Sequence, residues 1–449
     1  MNRLYCDTVQ ILKNSIKIND LIEVEPQGSS VCPFCKSKSK WYTVANTAGW
    51  CYSSKCISNN PQFLNSINKK SLKGYDIFSL TRLIAYVEDN QIMSFGKTLE
   101  YLKRKFSNKL NLDTSKLEED LCEYSNFLNR VSDAYYHCML ENKNNAGKRY
   151  LLDRGITEDT IENTKIGYAN SPYTLRRYGI REETLAKYNF LTNRGYEYYF
   201  NRVIFPIRDT YNKVRHLQGR LISSSNEEET LKYLTTKKFN NLPSVIHYLA
   251  LEERLSLYRT NRNKELFICE GVPDTYSLAQ CKLPVVGLLG ISKLLYHEYK
   301  LRDFRKITMI ADNDKFDSDH PNYPNKYKSW MRLIPQLIDL QHSLGTNTEI
   351  FVWLPPKELK VNNTNIKVKD VNEWLKNLNN RDNKAIQNTI IKNRIPLLDW
   401  VIDERGDNLD NHFEIVRLIK ASNKKYLTKL QDKIPPDLSC LEYVYRICD

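Results

Sequence analysis

No stretch of this 449-residue chain holds the roughly 18 consecutive apolar residues that a membrane-spanning helix needs. Nor does the chain open on the charged and then apolar pattern of a secretory leader. Both absences read as a soluble protein that stays inside the cell and makes no membrane contact. A disulfide scaffold is excluded as well, because eleven cysteines are few for so long a chain. Seven of them (Cys6, Cys122, Cys138, Cys269, Cys281, Cys440 and Cys448) are scattered among apolar residues, as small core side chains are. A phosphate-binding loop is missing too. Gly96-Lys97-Thr98 has the end of one, but Gln91 stands where its first glycine belongs and no strand leads in.

What is present begins with positive charge: 67 Lys and Arg against 53 acids, a net +14. That excess favours a polyanionic partner and says nothing about fold. The length points to about two to four domains. Between Leu266 and Asp319, three strand-type runs (Leu266–Cys269, Pro284–Leu289 and Ile307–Ile310) are each followed by a helix-length segment. This βαβαβ order predicts a parallel sheet, and ligands of such sheets collect at the carboxyl ends of the strands. Glu270, Asp312 and Asp314 fall at those ends. Three acids converging there repel one another unless a hard divalent cation, Mg²⁺ or Mn²⁺, sits between them. Taken singly, such acids serve as helix caps or solvated loop residues; their succession singles them out.

Four cysteines cluster. Cys32-Pro-Phe-Cys35 is followed after fifteen residues by Cys51-Tyr-Ser-Ser-Lys-Cys56. Two thiolates on one tight turn grip the same ion, so the set predicts one structural zinc. Between the pairs, Trp41–Val44 and Trp50–Tyr52 alternate as ribbon strands do. Their aromatics (Trp41, Tyr42, Trp50, Tyr52) either stack single-stranded bases or pack the ribbon. Helical patterns are read over 8–25, over 74–78 with 94–102, from 121 to about 201, and over 323–342. A linker is expected at 108–116, a hairpin over 203–207 and 214–221 turning at 209–213, and a strand at 349–353. From about residue 380 the chain reads as helical and charged, with an apolar face starting at Ile395.

Glu270-Gly271 after one strand and Asp312-Asn313-Asp314 after another resemble the TOPRIM domain, found in primases, topoisomerases and some nucleases. The order of the remaining segments resembles the bacterial and phage DnaG-type primases. Cys32-Pro-Phe-Cys35 and the strands after it are similar to the zinc ribbon opening those proteins, with Cys35 where the family has histidine and a last knuckle two residues longer. Tyr150–Thr157, Ile166–Ala169, Asn201–Asp209 and Gln218–Arg220 resemble the first half of the polymerase core. The resemblance implies that Arg202, Arg220 and Lys232 line the template and nucleotide cleft, where arginine grips phosphate through two donors and lysine acts as a point charge. It leaves the second cleft lysine at Lys237 or Lys238. It further implies that Asp312 and Asp314 hold the catalytic ion, with Glu270 as a further ligand or a general base. Asp370, in Lys369-Asp370-Val-Asn-Glu373, matches another metal-site acid, while Asn372 replaces the second acid of that phrase. Asp274 also matches an acid of the family, or else caps the following helix.

The expected fold class is thus multidomain α/β. It comprises a zinc-ribbon DNA-binding domain over 1–115, a mixed α+β basic subdomain over 116–262, a TOPRIM parallel-sheet subdomain over 263–380, and a helical segment over 381–449. The implied activity is RNA primer synthesis on single-stranded DNA from ribonucleoside triphosphates, in a bacterial cytoplasm or that of a phage's host. A TOPRIM nuclease and a zinc-ribbon DNA-binding protein without catalysis are the alternatives; a topoisomerase would need a tyrosine nucleophile in a separate DNA gate. A replicative helicase encoded elsewhere is the expected further partner, since no motor is read in this chain and its end at Asp449 leaves little room for a large docking domain. The apolar side of a helix over Ile434–Ile447 either packs on its own domain or docks that helicase.

Overall fold

The computed structural model describes residues 12–13, 15–60, 63–64, 74–89, 93, 95–107, 114–141, 145–222, 231–237, 248–260, 264–313, 323–361, 364–378 and 382–405. The chain divides into two compact units, one carried by the residues up to Cys122 and the other beginning at Glu123.

In the first unit, β1 (Gly28–Ser30), β2 (Trp41–Val44) and β3 (Ala48–Cys51) form an antiparallel sheet in that order. The β2–β3 turn is tight because Ala45 and Asn46 both take left-handed angles, φ 47° and 53°, the twist that suits paired strands. Alternation turns Trp41, Thr43 and Cys51 inward. Trp41 lies against Gly49 so closely that a Cβ added there would meet the indole at 2.7 Å. Gly49→Ala is therefore expected to destabilise this unit by about 1–3 kcal/mol through overpacking. An unchanged melting curve, followed by tryptophan fluorescence, would show that the indole yields freely. Helices α1 (Ile77–Asp89) and α2 (Phe95–Lys105) add Ile77, Leu80, Leu83, Leu99 and Leu102 to the same core. The helix read over 8–25 ends earlier than expected. Leu12 and Ile16 are buried, but Ile18–Asp20 is a 3-10 turn in which the Asp20 carboxylate accepts from the Lys17 N–H at 2.7 Å. Local bonds of this kind compete with helix continuation. Residues 1–11 and 108–113 lie outside the described residues, and 114–116 already belong to α3 (Thr114–Glu141).

The second unit holds two larger sheets. In the first of them, β4 (Gly167–Ala169), β5 (Arg202–Arg208), β6 (Val214–Leu221) and β7 (Tyr233–Thr235) are antiparallel neighbours in chain order. The β5–β6 hairpin turns where the sequence places it, because the Asp209 carboxylate accepts from the N–H groups of Tyr211 and Lys213 at 2.9 and 3.0 Å. Strand β4 departs from the helical pattern read there: its partner β5 lies some thirty residues on, beyond local periodicity. Helices α4 (Ala146–Asp153) and α5 (Glu158–Thr164) precede it, capped by the Asn145 and Thr157 side chains.

The other sheet carries β8 (Glu265–Cys269), β9 (Val285–Gly287), β10 (Lys306–Ile310) and β11 (Glu349–Trp353), all parallel, in the spatial order β11-β10-β8-β9. The predicted order is present, with α6 (Val272–Ala279) after β8, a 3-10 helix over Ile291–His297 and one helical turn over Glu298–Leu301 after β9, and α7 (Tyr323–Leu344) after β10. Both faces are buried, as parallel sheets require. Leu266, Ile268, Ile307 and Met309 pack on one side, and Phe267, Cys269 and Ile310 on the other. A small ribbon of β12 (Glu358–Val361) and β13 (Thr364–Lys367) then leads to α8 (Val371–Lys376) and α9 (Asn383–Asn393). Ile395 and Pro396, read as a helix start, instead form β14, an antiparallel edge on β11. Proline is tolerated at an edge, where its missing N–H is not needed. α10 (Leu397–Arg405) follows. Residues 406–449, with the helix expected over 434–447, lie outside the described residues. No described helix is long and apolar enough to cross a membrane.

Candidate metal centres and the basic sheet

In the first unit the sequence-predicted thiols meet. The ligand atoms of Cys32, Cys35, Cys51 and Cys56 all lie within 4.8 Å of one another. Cys32 and Cys56 Sγ are 3.7 Å apart, as are those of Cys35 and Cys51. A tetrahedral site with Zn–S near 2.3 Å asks for sulfurs about 3.8 Å apart, so the donor set fits zinc. Burial pushes the Cys32 and Cys51 thiols up, whereas Cys35, despite its burial, is brought down to about 6 by hydrogen bonds to Ser37; four thiolates this close repel one another unless a cation sits between them. Beside the cluster, Tyr42, Trp50 and Tyr52 lie together with ring centroids 5.3–6.4 Å apart, and Tyr52 is 62% exposed. Trp41, by contrast, packs the ribbon.

In the second unit the acids gather by strand register. Cys269 of β8 pairs with Ile310 of β10, so Glu270 and Asp312 lie one and two residues past the paired ends. The Cys269 thiol, pushed up first by burial, also feels Asp274 and Asp312. Asp274 in turn is raised by burial and by Asp370. Asp312 and Asp370 are joined through Asn313, which is 4% exposed. Its amide donates to the carbonyls of Pro355 and Val368 at 3.0 and 2.9 Å, and its N–H to that of Lys369 at 2.7 Å. Asp274 is not the cap of α6, because Gly271 holds that place. A Cβ on Gly271 would stand 2.6 Å from Asp274 Oδ2, so glycine lets the carboxylate fold back over the helix start. Asp370 caps α8, its Oδ1 accepting from Glu373 N–H at 2.8 Å. Asp314 lies outside the described residues. Among the described residues the four thiols, and not these acids, are the ligating side chains drawn to within 4.8 Å.

The antiparallel sheet supplies cations. Arg220 stands over the Tyr233 ring, 4.6 Å from its centroid, and its Nε is buried without a partner among the described residues. The Tyr233 phenol is raised by desolvation and also feels Arg220, Asp274 and Arg154. Tyr233 of β7 is thus within the field of Asp274 and of Arg154. Lys232, at the start of that strand, is exposed. Arg202 is different. It is 3% exposed, and its guanidinium donates to the carbonyls of Leu231, Lys232 and Gly219 at 2.7, 3.1 and 3.4 Å. Lys237 is the described one of the two candidate lysines and lies 4.7 Å over the Tyr198 ring.

Two features escaped the sequence reading. Arg154, more than a hundred residues from the acids in sequence, would be lowered by desolvation but is held up by Tyr150, Tyr233, Asp370 and Asp274. Tyr196 and Phe200 are 45% and 48% exposed and alternate with buried Glu197 and Tyr199. The Tyr173 ring is 6.0 Å from that of Tyr196, with the Arg176 guanidinium 5.3 Å over Tyr173. Nothing in Tyr-Glu-Tyr-Tyr-Phe at 196–200 separates exposed rings from buried ones by local pattern.

A parallel sheet whose strands end in acids, together with an antiparallel sheet bearing arginines, has the architecture of a TOPRIM-like α/β protein, preceded in the chain by a ribbon of four cysteines that fits zinc. Residues 135–241 match the family described as "DNA primase catalytic core, N-terminal domain". The chain is 26% identical over 322 residues to the DNA primase of Haemophilus influenzae, a match covering 67% of this chain and 50% of that protein. The crystal structure of the zinc-binding and RNA polymerase domains of Aquifex aeolicus primase shares the fold, with a TM-score of 0.51 at 18% identity, over 97% of this chain and 94% of that one. A DnaG primase catalytic domain solved with single-stranded DNA shares it with a TM-score of 0.50 at 17% identity, over 74% and 96%. Residues 135–241 thus resemble the first half of a DnaG-type primase core, and the chain shares the fold of such cores. It spans about half the length, or less, of the curated relatives it matches.

Proposed function

We propose that the protein is a DNA primase, synthesising short RNA primers on single-stranded DNA from ribonucleoside triphosphates. The observation that supports this reading is the register of β8 and β10, by which Glu270 and Asp312 follow the paired ends of neighbouring strands, in a unit whose antiparallel sheet carries Arg220 over Tyr233. Glu270 and Asp312, with Asp314, would hold Mg²⁺ or Mn²⁺ through oxygen donors. When bound, the ion neutralises the phosphates of the incoming nucleotide and lowers the cost of ionising the attacking 3′-hydroxyl. Arg220 offers two donors to phosphate above a tyrosine face, and Lys232 a mobile point charge. Arg202 serves them indirectly, by fixing the strand that carries Lys232. The exposed faces of Tyr173, Tyr196 and Phe200, flanked by Arg176 and Lys237, suit a platform for template bases. Tyr52 and its neighbours on the zinc ribbon offer a second one. The separation into domains at 115, 262 and 380 and a helicase contact through 434–447 stand as parts of the same proposal.

The deciding experiment supplies zinc-loaded protein with single-stranded DNA, labelled ribonucleotides and Mg²⁺ or Mn²⁺. Short RNA is expected; DNA cleavage without RNA would instead establish the nuclease reading. Lys232→Ala is expected to weaken single-stranded DNA binding about equally for all sequences and to reduce the salt slope by about 1. Fluorescence anisotropy across a salt series measures it, and an unchanged slope would remove Lys232 from the backbone contacts.

A further inference from the structure

The turn end of the β5–β6 hairpin borders a cavity that the proposed reaction does not use. Its volume is about 320 Å³, in the range of small-ligand sites. Arg208 of β5 lines it, with Glu253 and Arg254 of the 3-10 turn Glu252–Arg254 and the apolar bodies of Pro206, Leu257 and Tyr276. Val203, which pairs with Arg220, and Arg208 stand toward opposite ends of β5, about 17 Å apart at the rise of a strand. The cavity is thus separate from the arginine assigned to the cleft.

Its walls are held by bonds of their own. Tyr276 is 1% exposed, its hydroxyl donates to the Pro206 carbonyl at 3.5 Å, and its ring lies 5.4 Å from that of Phe205. Ala250 and Gly287 of β9 exchange backbone hydrogen bonds at 2.8 and 3.0 Å. The next residue, buried Leu251, takes left-handed angles, φ 60° and ψ 27°. A bulky side chain keeps such angles only where its surroundings enforce them, and strain of this kind gathers at binding sites. The turn it starts sends two glutamates in different directions. Glu252 accepts from Lys300 Nζ at 2.6 Å in the interior, whereas Glu253 lines the cavity.

Glu253 Oε2 is sealed from solvent without a hydrogen-bond partner among the described residues. A buried acceptor left this way is costly until something donates to it. Burial pushes the Glu253 carboxyl up to about 7, with Arg254 and Arg208 pulling it down and Glu252 opposing them. Arg208 Nη1 donates to the Asn212 carbonyl at 3.2 Å, which leaves further donors on its guanidinium. The cavity therefore suits a ligand with charged oxygens for two guanidiniums and one O–H for the carboxylate. Hydrogen phosphate has both. Sulfate has the same shape but carries no proton near neutral pH, so it turns only lone pairs toward the carboxylate.

We infer that this cavity is a binding site for a small phosphate bearing a P–OH, held by Arg208 and Arg254 and selected over sulfate by Glu253. Titration calorimetry of the zinc-loaded full chain tests it with inorganic phosphate, ribose 5-phosphate and sulfate at equal ionic strength. The titrations are run at about pH 8, above the Glu253 carboxyl. Inorganic phosphate is expected to bind about tenfold or more tightly than sulfate, the worth of one hydrogen bond to a charged group. Glu253→Gln, whose amide donates to either anion, should bring the two within about threefold. Arg254→Gln should weaken phosphate binding about tenfold or more, whereas Arg220→Ala should change it no more than about twofold. Tighter binding of inorganic phosphate than of ribose 5-phosphate assigns the site to the free ion, and the reverse to a phosphorylated small molecule; either upholds the inference. No saturable phosphate binding, equal affinity for sulfate in the wild type, or loss of binding in Arg220→Ala overturns it. The comparison of anions on the wild type needs no substitution, so it decides the matter even if a variant fails to fold.

Discussion

Asp312→Asn combined with Asp314→Asn is expected to lower primer synthesis by about a thousandfold or more while single-stranded DNA affinity stays within about twofold. In the proposed mechanism these carboxylates would hold the ion, so losing them would forfeit several kcal/mol of transition-state stabilisation, and each ~1.4 kcal/mol is a factor of ten in rate. Asp312 lies two residues beyond the paired end of β10, and asparagine keeps its size while removing its charge. Binding survives because affinity for nucleic acid comes from phosphate contacts, and the arginines and lysines of the antiparallel sheet are untouched. Label incorporation and anisotropy on one preparation separate the two quantities. Primer synthesis at the wild-type rate would place the catalytic ion elsewhere, and a parallel fall in binding would mean that the acids shape the fold of the cleft.

The second large effect concerns the thiols. Cys32→Ser with Cys35→Ser should remove the roughly one zinc per chain and, with it, the order of the ribbon. Structural zinc in small domains contributes on the order of 10 kcal/mol to folding. Cys32, Cys51 and Cys56 are also members of the core that holds Trp41 and Phe63, so this unit has little to fall back on. Hydrogen exchange over residues 28–60 should lose its protection, while the peptides of the parallel sheet keep theirs. Metal analysis showing no zinc in the carefully purified wild type would sink the prediction at its premise.

The sequence made legible whatever is local. The acids are recognisable because each follows a strand-type run directly, and the thiols because two spaced pairs fit one ion. The β5–β6 hairpin shows itself by alternation around a turn that Asp209 closes with its own side chain. What the sequence concealed depends on partners far along the chain. Arg154 sits in an ordinary helix end, and only Asn372, 218 residues later, reveals where it points. Strand β4 reads as part of a helical stretch until β5 is there to pair with it. Asn313 looks like the spacer of an Asp-x-Asp motif, yet its amide is spent on two carbonyls of another segment. Arg202 has the composition of a phosphate ligand, and tertiary contacts turn its donors inward.

That inward turn governs how this region can vary. The arginine grips Leu231 and Lys232 by their carbonyls, so strand β7 is anchored at its beginning and does not depend on the chain leading into it. The preceding residues, Ser-Ser-Ser-Asn-Glu-Glu-Glu-Thr at 223–230, are all polar. Lengthening a loop adds only slowly to its closure entropy, about 0.6 kcal/mol for each doubling. A short polar insertion between Ile222 and Leu231 is therefore expected to leave Lys232 held by Arg202, because the grip on Lys232 comes from β5.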